Sequence, residues 1–383
     1  MDFSLTKEQA ALRTSAIALV EEHIAPLLDS QAPDRPLPKP IMLEIYAGLA
    51  ELGLTAPRVP AAHGGGGLRM LDYGIMFEQL PPVISMSLIA HECTIARLSA
   101  EGDAEQRARF LPALIAGKKL CCTATTEPGA GSDLRAITTS VTKEDGHLRL
   151  HGHKAWITNA TICDVMTVTC RDGEVDGHRL RRLVVDREES PFETRPCSTL
   201  GLQQGHLGEV LFDDCPVPTA NAIGADGDAA RILTLTWNGN RPLAGLAATH
   251  IAQQALDLAV RYAGERVQFG KPIGGHQLVQ AVLADIETLV ITSRLACLHA
   301  LDALDREGRS NGLSALAKRY ATTACEKAVS LAMHVHGALG ISRENGLEKL
   351  YRDVRMLPIP EAADNILTLI QGRELTGIAA FGS

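Results

Sequence analysis

The stretch Thr125-Thr126-Glu127-Pro128-Gly129-Ala130-Gly131-Ser132-Asp133 marks the point where the pattern of this chain changes from helical to β. Two Gly residues, two Thr hydroxyls and a Ser within nine positions expose backbone N–H groups and short donors, which suits an anionic or polar heterocyclic ligand. A tight turn followed by an Asx cap reads the same way, so composition alone leaves both meanings open.

Upstream, everything reads as helix. Thr6-Lys-Glu-Gln9 has capping-box spacing, and Leu12, Ala16, Leu19, Val20, Ile24 and Leu27 follow the three/four period of an amphipathic helix. Further helical patterns cover residues 40–52, 70–80, 85–100 and 103–117, separated by breakers such as His63-Gly-Gly-Gly-Gly67 and Pro81-Pro82. Downstream, residues 138–141 alternate into Asp145-Gly146 and Leu148 and Leu150 alternate out, a β-hairpin signature. Residues 165–170, 180–186 and 209–212 read as further short strands of a compact β-domain. Beyond Gly224 long Ala/Leu-rich helices return at 243–265, 276–307 and 313–336, and helices of that length must bury an apolar face, as in a four-helix bundle. Helix, β, helix is the order that periodicity supports.

With 383 residues the chain has material for two or three packed units. Its 37 Lys and Arg against 45 Asp and Glu give a net charge of −8, which disfavours a nucleic-acid binder. Nine Cys without a C-x-x-C, two of them adjacent at Cys121 and Cys122, suit neither a disulfide framework nor a metal site and point to a reducing compartment. No run of 18 apolar residues occurs and the N-terminus lacks the features of a signal peptide, so the expectation is a cytoplasmic protein with no integral membrane segment. Aromatics make up only 4%, so any task that needs one falls to few residues.

Four later segments carry candidate chemistry. Lys154-Ala-Trp-Ile-Thr-Asn159 holds one of the two Trp residues, and a Trp in a strand is usually core. Arg266-Val-Gln-Phe-Gly270, with Gln277 beyond it, puts at a helix end a guanidinium that could bind a pyrophosphate or be merely solvated. His334 and His336 in His334-Val-His-Gly-Ala-Leu-Gly340 are two apart on a helix, point to different faces and so make a poor metal pair. Pro358 and Pro360 set Glu361 on a stiff loop before a helix beginning near Ala363. Glu361 is therefore a candidate general base, although a carboxylate there also fits a simple helix-dipole charge.

In this order and spacing the segments resemble the acyl-CoA dehydrogenase family of flavoproteins. The resemblance runs through F-S-L-T-K-E-Q (3–9), L-G-L-T-A-P (52–57), G-G-G-G-L (64–68), D-A-E-Q-R-A-R-F-L-P (103–112), T-E-P-G-A-G-S-D (126–133) and K-A-W-I-T-N (154–159). It continues through F-D-D-C-P-V-P (212–218), E-R-V-Q-F-G-K-P-I (265–273), H-G-A-L-G (336–340) and L-Y-R-D-V-R (350–355), and so covers nearly the whole chain. The fold it implies is multi-domain α+β: an N-terminal all-helical domain (1–119), a middle β-barrel (120–225) and a C-terminal four-helix bundle (226–383). FAD is the implied cofactor, with Thr123, Thr125, Thr126 and Ser132 at flavin or ribityl and Trp156 and Thr158 flanking the ring. Arg266, Phe269, Gln277 and the stretch His334, Gly337, Ala338 match positions that bind the ADP half from a neighbouring subunit, and Ala363 and Asn365 match positions along the diphosphate. Ser132, Asn238, Arg241 and Ala362 fall on the substrate side.

Glu361 takes the place of the family's base; the other location used for it, the residue before Arg241, holds Asn240, which cannot serve. The implied reaction is α,β-dehydrogenation of an acyl-CoA to the trans-2-enoyl thioester: Glu361 abstracts the α-proton, hydride passes to flavin N5, and an electron-transfer flavoprotein takes up the electrons. A homotetramer, or dimer of dimers, is the implied assembly. The chain departs from the family at Pro360 (commonly an aromatic), Ala362-Ala363 (Gly-Thr), His334 (Gln), Ala338 (Gly) and Asn238 (Asp). Those departures keep two alternatives open: an acyl or aminoacyl group on a carrier protein as substrate, or a flavin- and CoA-binding paralogue of low activity.

Overall fold

The computed structural model describes residues 4–144, 146–172, 180–224 and 229–380, and the side chains of 229–235 are outside that description. Asp145 of the hairpin turn and the domain boundary expected at 225/226 lie outside the described residues.

The first helix starts where the capping box lies: the Thr6 side chain accepts from the Gln9 N–H and Gln9 returns the bond to the Thr6 N–H. One continuous helix is expected to Leu27, but α1 (Lys7–Leu19) widens into a π-helical turn (Val20–Ile24) before α2 (Ala25–Asp29). Pro26 sits at the start of α2 and has no N–H to give back, which is the circumstance in which a ladder slips. The helical unit continues with α3 (Lys39–Glu51), α4 (Met70–Phe77), α5 (Pro82–Glu101) and α6 (Ala104–Ile115). Pro82, read from sequence as a breaker, is instead the first residue of α5, where a missing N–H costs nothing.

Among the described residues eight strands follow in one sheet: β1 (Cys121–Ala124), β2 (Ser140–Glu144), β3 (His147–Thr158), β4 (Val165–Asp172), β5 (Leu180–Asp186), β6 (Glu193–Pro196), β7 (Leu207–Val217) and β8 (Ala222–Ile223). The order is β6-β7-β3-β2-β4-β5-β8, with β1 pairing parallel to β4 off this path. Inward residues of β1 to β5 and β7, among them Ala124, Val141, Leu150, Val168, Val185 and Phe212, meet in one core, as they do when a sheet coils on itself.

The C-terminal part comprises α7 (Ala229–Glu265), the short pair β9 (Val267–Gln268) and β10 (Lys271–Pro272), α8 (Gln277–Glu307), α9 (Asn311–His336), α10 (Leu347–Met356) and α11 (Asp364–Thr376). α7, α8 and α9 pack on one another and α11 packs on α9. The sequence pattern starts α7 at Leu243, just after Pro242; the helix in fact runs straight through that proline. Pro242 cannot donate to the Asn238 carbonyl four residues back, and the Ser314 hydroxyl of α9 takes over that carbonyl at 2.8 Å. One large core joins α1, α3, α4 and α5 to α7, α8 and α9, and a smaller one seats α5 and α6 on β1, β4 and β5. No helix among the described residues is long and apolar enough to cross a membrane, and none of their His, Cys, Asp and Glu side chains form a group of three or more that could hold a metal ion.

Alanine and glycine let the long helices approach closely. A Cβ at Gly245 of α7 would stand 2.5 Å from the Cys297 Sγ of α8 and 3.1 Å from the Ala321 Cβ of α9. Gly245→Val is expected to destabilise the protein by about 1–3 kcal/mol through overpacking. Urea unfolding checks it, and an unchanged midpoint would mean the helices separate without cost.

Candidate active site

The loop between α10 and α11 carries Glu361 in an unfavourable backbone conformation. Glu361 has φ +60° and the next residue, Ala362, φ +92°. Non-glycine residues in such regions cost roughly 1–3 kcal/mol each, so something must hold them. Two buried cations do. Lys318 of α9 donates from Nζ to the Pro358 carbonyl at 2.6 Å and the Ala362 carbonyl at 2.7 Å. Arg241 of α7 donates from Nε to the Glu361 carbonyl at 3.2 Å and from Nη1 to Asn311 Oδ1 at 3.2 Å, with its guanidinium 5.6 Å from the centre of the Trp237 ring. Sequence reasoning named Arg241 but missed Lys318 and Asn311. The signal for both was present: they lie on the apolar stripe of α9 with Ser314, Ala315, Ala321, Cys325 and Ala332. A lysine there needs a buried partner.

The Glu361 carboxyl is enclosed, and its Oε2 has no hydrogen-bond partner among the described residues. Burial raises its pKa above the ordinary carboxylate value, against the opposing pull of Arg241, Asn240, Arg97 and Lys318. None of the first N–H groups of α11 bonds it among the described residues, so it is not serving as a helix cap. Asn240 is held by its other end: Arg58 Nη2 donates to Asn240 Oδ1 at 2.9 Å, while Glu92 accepts from Arg58 Nε at 2.6 Å and also from Nη2. With Oδ1 taken, the Asn240 amide nitrogen is the end left to bond Glu361. Sequence reading missed the Arg58–Glu92 pair, which no local pattern announces.

The glycine-rich stretch is tied to the Trp156 strand by a buried ion pair. Lys154 Nζ donates to Glu127 Oε1 at 2.8 Å and to the Thr125 carbonyl at 2.9 Å. Glu127 also accepts from the Thr138 N–H and hydroxyl and the Thr139 N–H. Burial would raise the Glu127 pKa, but the bonds from Lys154, Thr139 and Thr138 prevail and hold it at about 2. Thr125, Thr126 and Thr158 are half-buried and Ser132 is exposed; the Lys154 bond to the Thr125 carbonyl and the Ala155 N–H bond to the Thr126 carbonyl at 3.0 Å bring the first two beside the Trp156 strand. Thr123, on β1, bonds Thr94 and Thr167.

Trp156 departs from the core reading. It sits at an irregularity of β3 between Lys154 and Ile157, with φ +59°, and is 60% exposed. A strand bulge re-aims one side chain, here turning the ring out of the sheet's core.

The remaining candidates gather elsewhere. Arg266 lies just past the end of α7, roughly 37 Å along that helix from Arg241. Phe269, in the turn between β9 and β10, is 94% exposed, and Gln277 opens α8. His334, Gly337 and Ala338 end α9 at the same extremity, where the His336 ring stacks 4.5 Å from the Tyr262 ring of α7. A single chain therefore keeps this group apart from the Glu361 loop. Ala363 and Asn365 adjoin Glu361, and Asn238 is buried beside Arg241.

The family description of the acyl-CoA dehydrogenase N-terminal domain matches residues 6–118, that of the middle domain 122–215 and that of the C-terminal domain 230–376. The chain belongs to the acyl-CoA dehydrogenase family. Its fold is that family's, a helical domain, a middle β-domain and a helical domain, and it is an oxidoreductase that acts on acyl-CoA in an FAD-dependent family. It is similar to the benzylmalonyl-CoA dehydrogenase of Aromatoleum aromaticum, at 32% identity over 98% of this chain and 100% of that one. It is also similar to the glutaryl-CoA dehydrogenase of Desulfococcus multivorans, at 31% identity over 99% of each chain. Among solved structures, butyryl-CoA dehydrogenase from Megasphaera elsdenii superposes with a TM-score of 0.91 at 27% identity, over 98% of this chain and 100% of that one.

The clamp on the Glu361 loop has a pH signature. Burial lowers the Lys318 pKa from 10.5 to about 8, against the pull of Asp364 and Glu361. Between those values the unfolded chain holds a proton that the folded one has released, so the lysine's contribution makes stability rise with pH across that window. Lys318→Met is expected to abolish this rise and, by orphaning two carbonyls, to cost about 1–3 kcal/mol at neutral pH. Denaturant unfolding of both proteins from pH 7 to 10 checks it; parallel curves would refute the buried-lysine account.

Proposed function

We propose that this acyl-CoA dehydrogenase removes the elements of hydrogen from the α and β carbons of an acyl thioester, with Glu361 as the base. The single observation that supports this most is the Glu361 carboxyl itself: buried, with Oε2 unpartnered, and held on a strained loop by Lys318 and Arg241.

The chemistry asks for such a group. A thioester α-proton is only weakly acidic, so its removal needs a base of raised pKa at a fixed position. Burial gives Glu361 the raised pKa, and its Oε2, without a partner among the described residues, is free to take the proton. The Glu361 backbone N–H, fixed by the same clamp, is our candidate donor to the thioester oxygen as negative charge develops there. FAD, when bound, supplies the acceptor for the β-hydrogen.

The chain's residues fit a flavin on the Trp156 side. An apolar ring turned out of its own core by a left-handed residue, next to a loop of Thr hydroxyls, suits a flat heterocycle. In this reading Thr123, Thr125, Thr126, Ser132, Trp156, Thr158, Ala363 and Asn365 hold FAD in one chain. Arg266, Phe269, Gln277, His334, Gly337 and Ala338 serve the FAD of a neighbouring chain, which accounts for their distance from Glu361 and for the exposure of Phe269. A homotetramer with an electron-transfer flavoprotein as oxidant completes the proposal.

Glu361→Gln is expected to retain FAD and to slow anaerobic flavin bleaching by about 10²–10⁴-fold, the usual contribution of a positioned base. The measurement runs across acyl-CoA and acyl-carrier-protein thioesters. Bleaching of the variant at the parent's rate would remove Glu361 from the role, and a parent bleached only by carrier-bound thioesters would change the substrate class.

A further inference from the structure

Arg97 of α5 is a further buried cation at this site, and the reaction as proposed has no use for it. The side chain is 1% exposed. Nη2 donates to the Thr236 hydroxyl at 3.2 Å, but Nε and Nη1 are buried without an acceptor among the described residues. The neighbouring cations differ. Arg58 is matched by Glu92, Lys318 by two carbonyls, and Arg182 by Glu101, which stands one turn beyond Arg97 on α5. An arginine cannot shed its charge to escape burial, so its unused donors call for an acceptor that arrives from outside.

The place of Arg97 says what could bring one. Thr236 lies one helical turn before Asn240 on α7, on the same face, and the residue after Asn240, Arg241, donates to the Glu361 carbonyl at 3.2 Å. The charge of Arg97 is among those that reach the Glu361 carboxyl. Arg58 donates to the Thr236 carbonyl as well as to Asn240, so Thr236 ties the Arg97 guanidinium to the polar groups beside Glu361, on the side formed by α5. The Tyr73 hydroxyl, close to the Arg58–Glu92 pair, is likewise buried without a partner among the described residues. This side of Glu361 therefore holds unused hydrogen-bond donors, where a plain alkyl chain would want only carbon.

We infer that the acyl group taken by this enzyme carries an anionic acceptor, a carboxylate in the simplest case, at the end remote from the thioester, and that Arg97 receives it. The inference rests on the dehydrogenase reading above and names its substrate class. Arg97 is then a specificity-determining residue: it touches the substrate tail and takes no part in proton removal.

The test compares ω-carboxyacyl-CoA esters of four to eight carbons with unsubstituted acyl-CoA esters of the same lengths. Affinity is read from the perturbation of the bound flavin's spectrum by the corresponding 2-enoyl-CoA products, and turnover from anaerobic bleaching. The parent is expected to prefer the carboxylated ligand at one chain length by at least tenfold. Arg97→Gln should abolish that preference, and Arg97→Lys, which restores a buried cation, should recover part of it.

Three results would overturn the inference: equal or weaker binding of every carboxylated ligand by the parent, an undiminished preference in Arg97→Gln, or equal losses for both ligand series in Arg97→Gln with no recovery in Arg97→Lys. FAD content and the unfolding midpoint of each variant separate a folding defect from a lost contact. If no acyl-CoA bleaches the parent, the dehydrogenase reading fails. If neutral chains bleach it and carboxylated ones gain nothing, the inference about Arg97 fails alone.

Discussion

Two buried cations bonded to three backbone carbonyls hold the Glu361 site together. Lys318 and Arg241 reach the Pro358, Glu361 and Ala362 carbonyls from two different helices of the bundle. Their bonds offset the strain of two consecutive left-handed residues without glycine. A loop held only by its own turns would relax, and the Glu361 carboxyl would find solvent or a helix end. The burial that raises its pKa therefore follows from the packing of α7 against α9, which sets the spacing between the two cations.

The same packing explains how α7 survives Pro242. The helix loses one internal bond at Asn238, and α9 makes it good with the Ser314 hydroxyl. Ser314 and Lys318 are one turn apart on α9, so a single face of that helix repairs α7 and clamps the base loop. The close approach needed for both contacts is what Gly245 permits.

Much of this was legible in the sequence, and the reasons differ residue by residue. Long helices announce themselves by period, so the helix, β, helix order could be read directly. The start of α7 could not, because a proline signals a stop and the repair comes from a residue 72 positions away in sequence. Glu361 was visible because two prolines stiffen its loop, and Arg241 through family resemblance. Lys318, Asn311 and the Arg58–Glu92 pair join elements far apart in sequence and have no local motif. Lys318 and Asn311 left only a trace, as polar residues on the apolar stripe of α9. Trp156 misled for the opposite reason: its strand pattern is ordinary, and only the bulge that turns it outward shows that it is not core.

The amide of Asn240 is asymmetric, and that asymmetry constrains how this site could evolve. One end accepts from Arg58, whose charge is already met by Glu92, and the other end is the donor left for Glu361. A carboxylate at position 240 would have no donor for Glu361 and would meet it as a like charge, while competing with Glu92 for Arg58. In the proposed reading, moving the base from position 361 to position 240 therefore demands coordinated change at 58, 92, 240 and 361. The polar mesh around Glu361 thus acts as an epistatic lock on where a carboxylate can stand at this site.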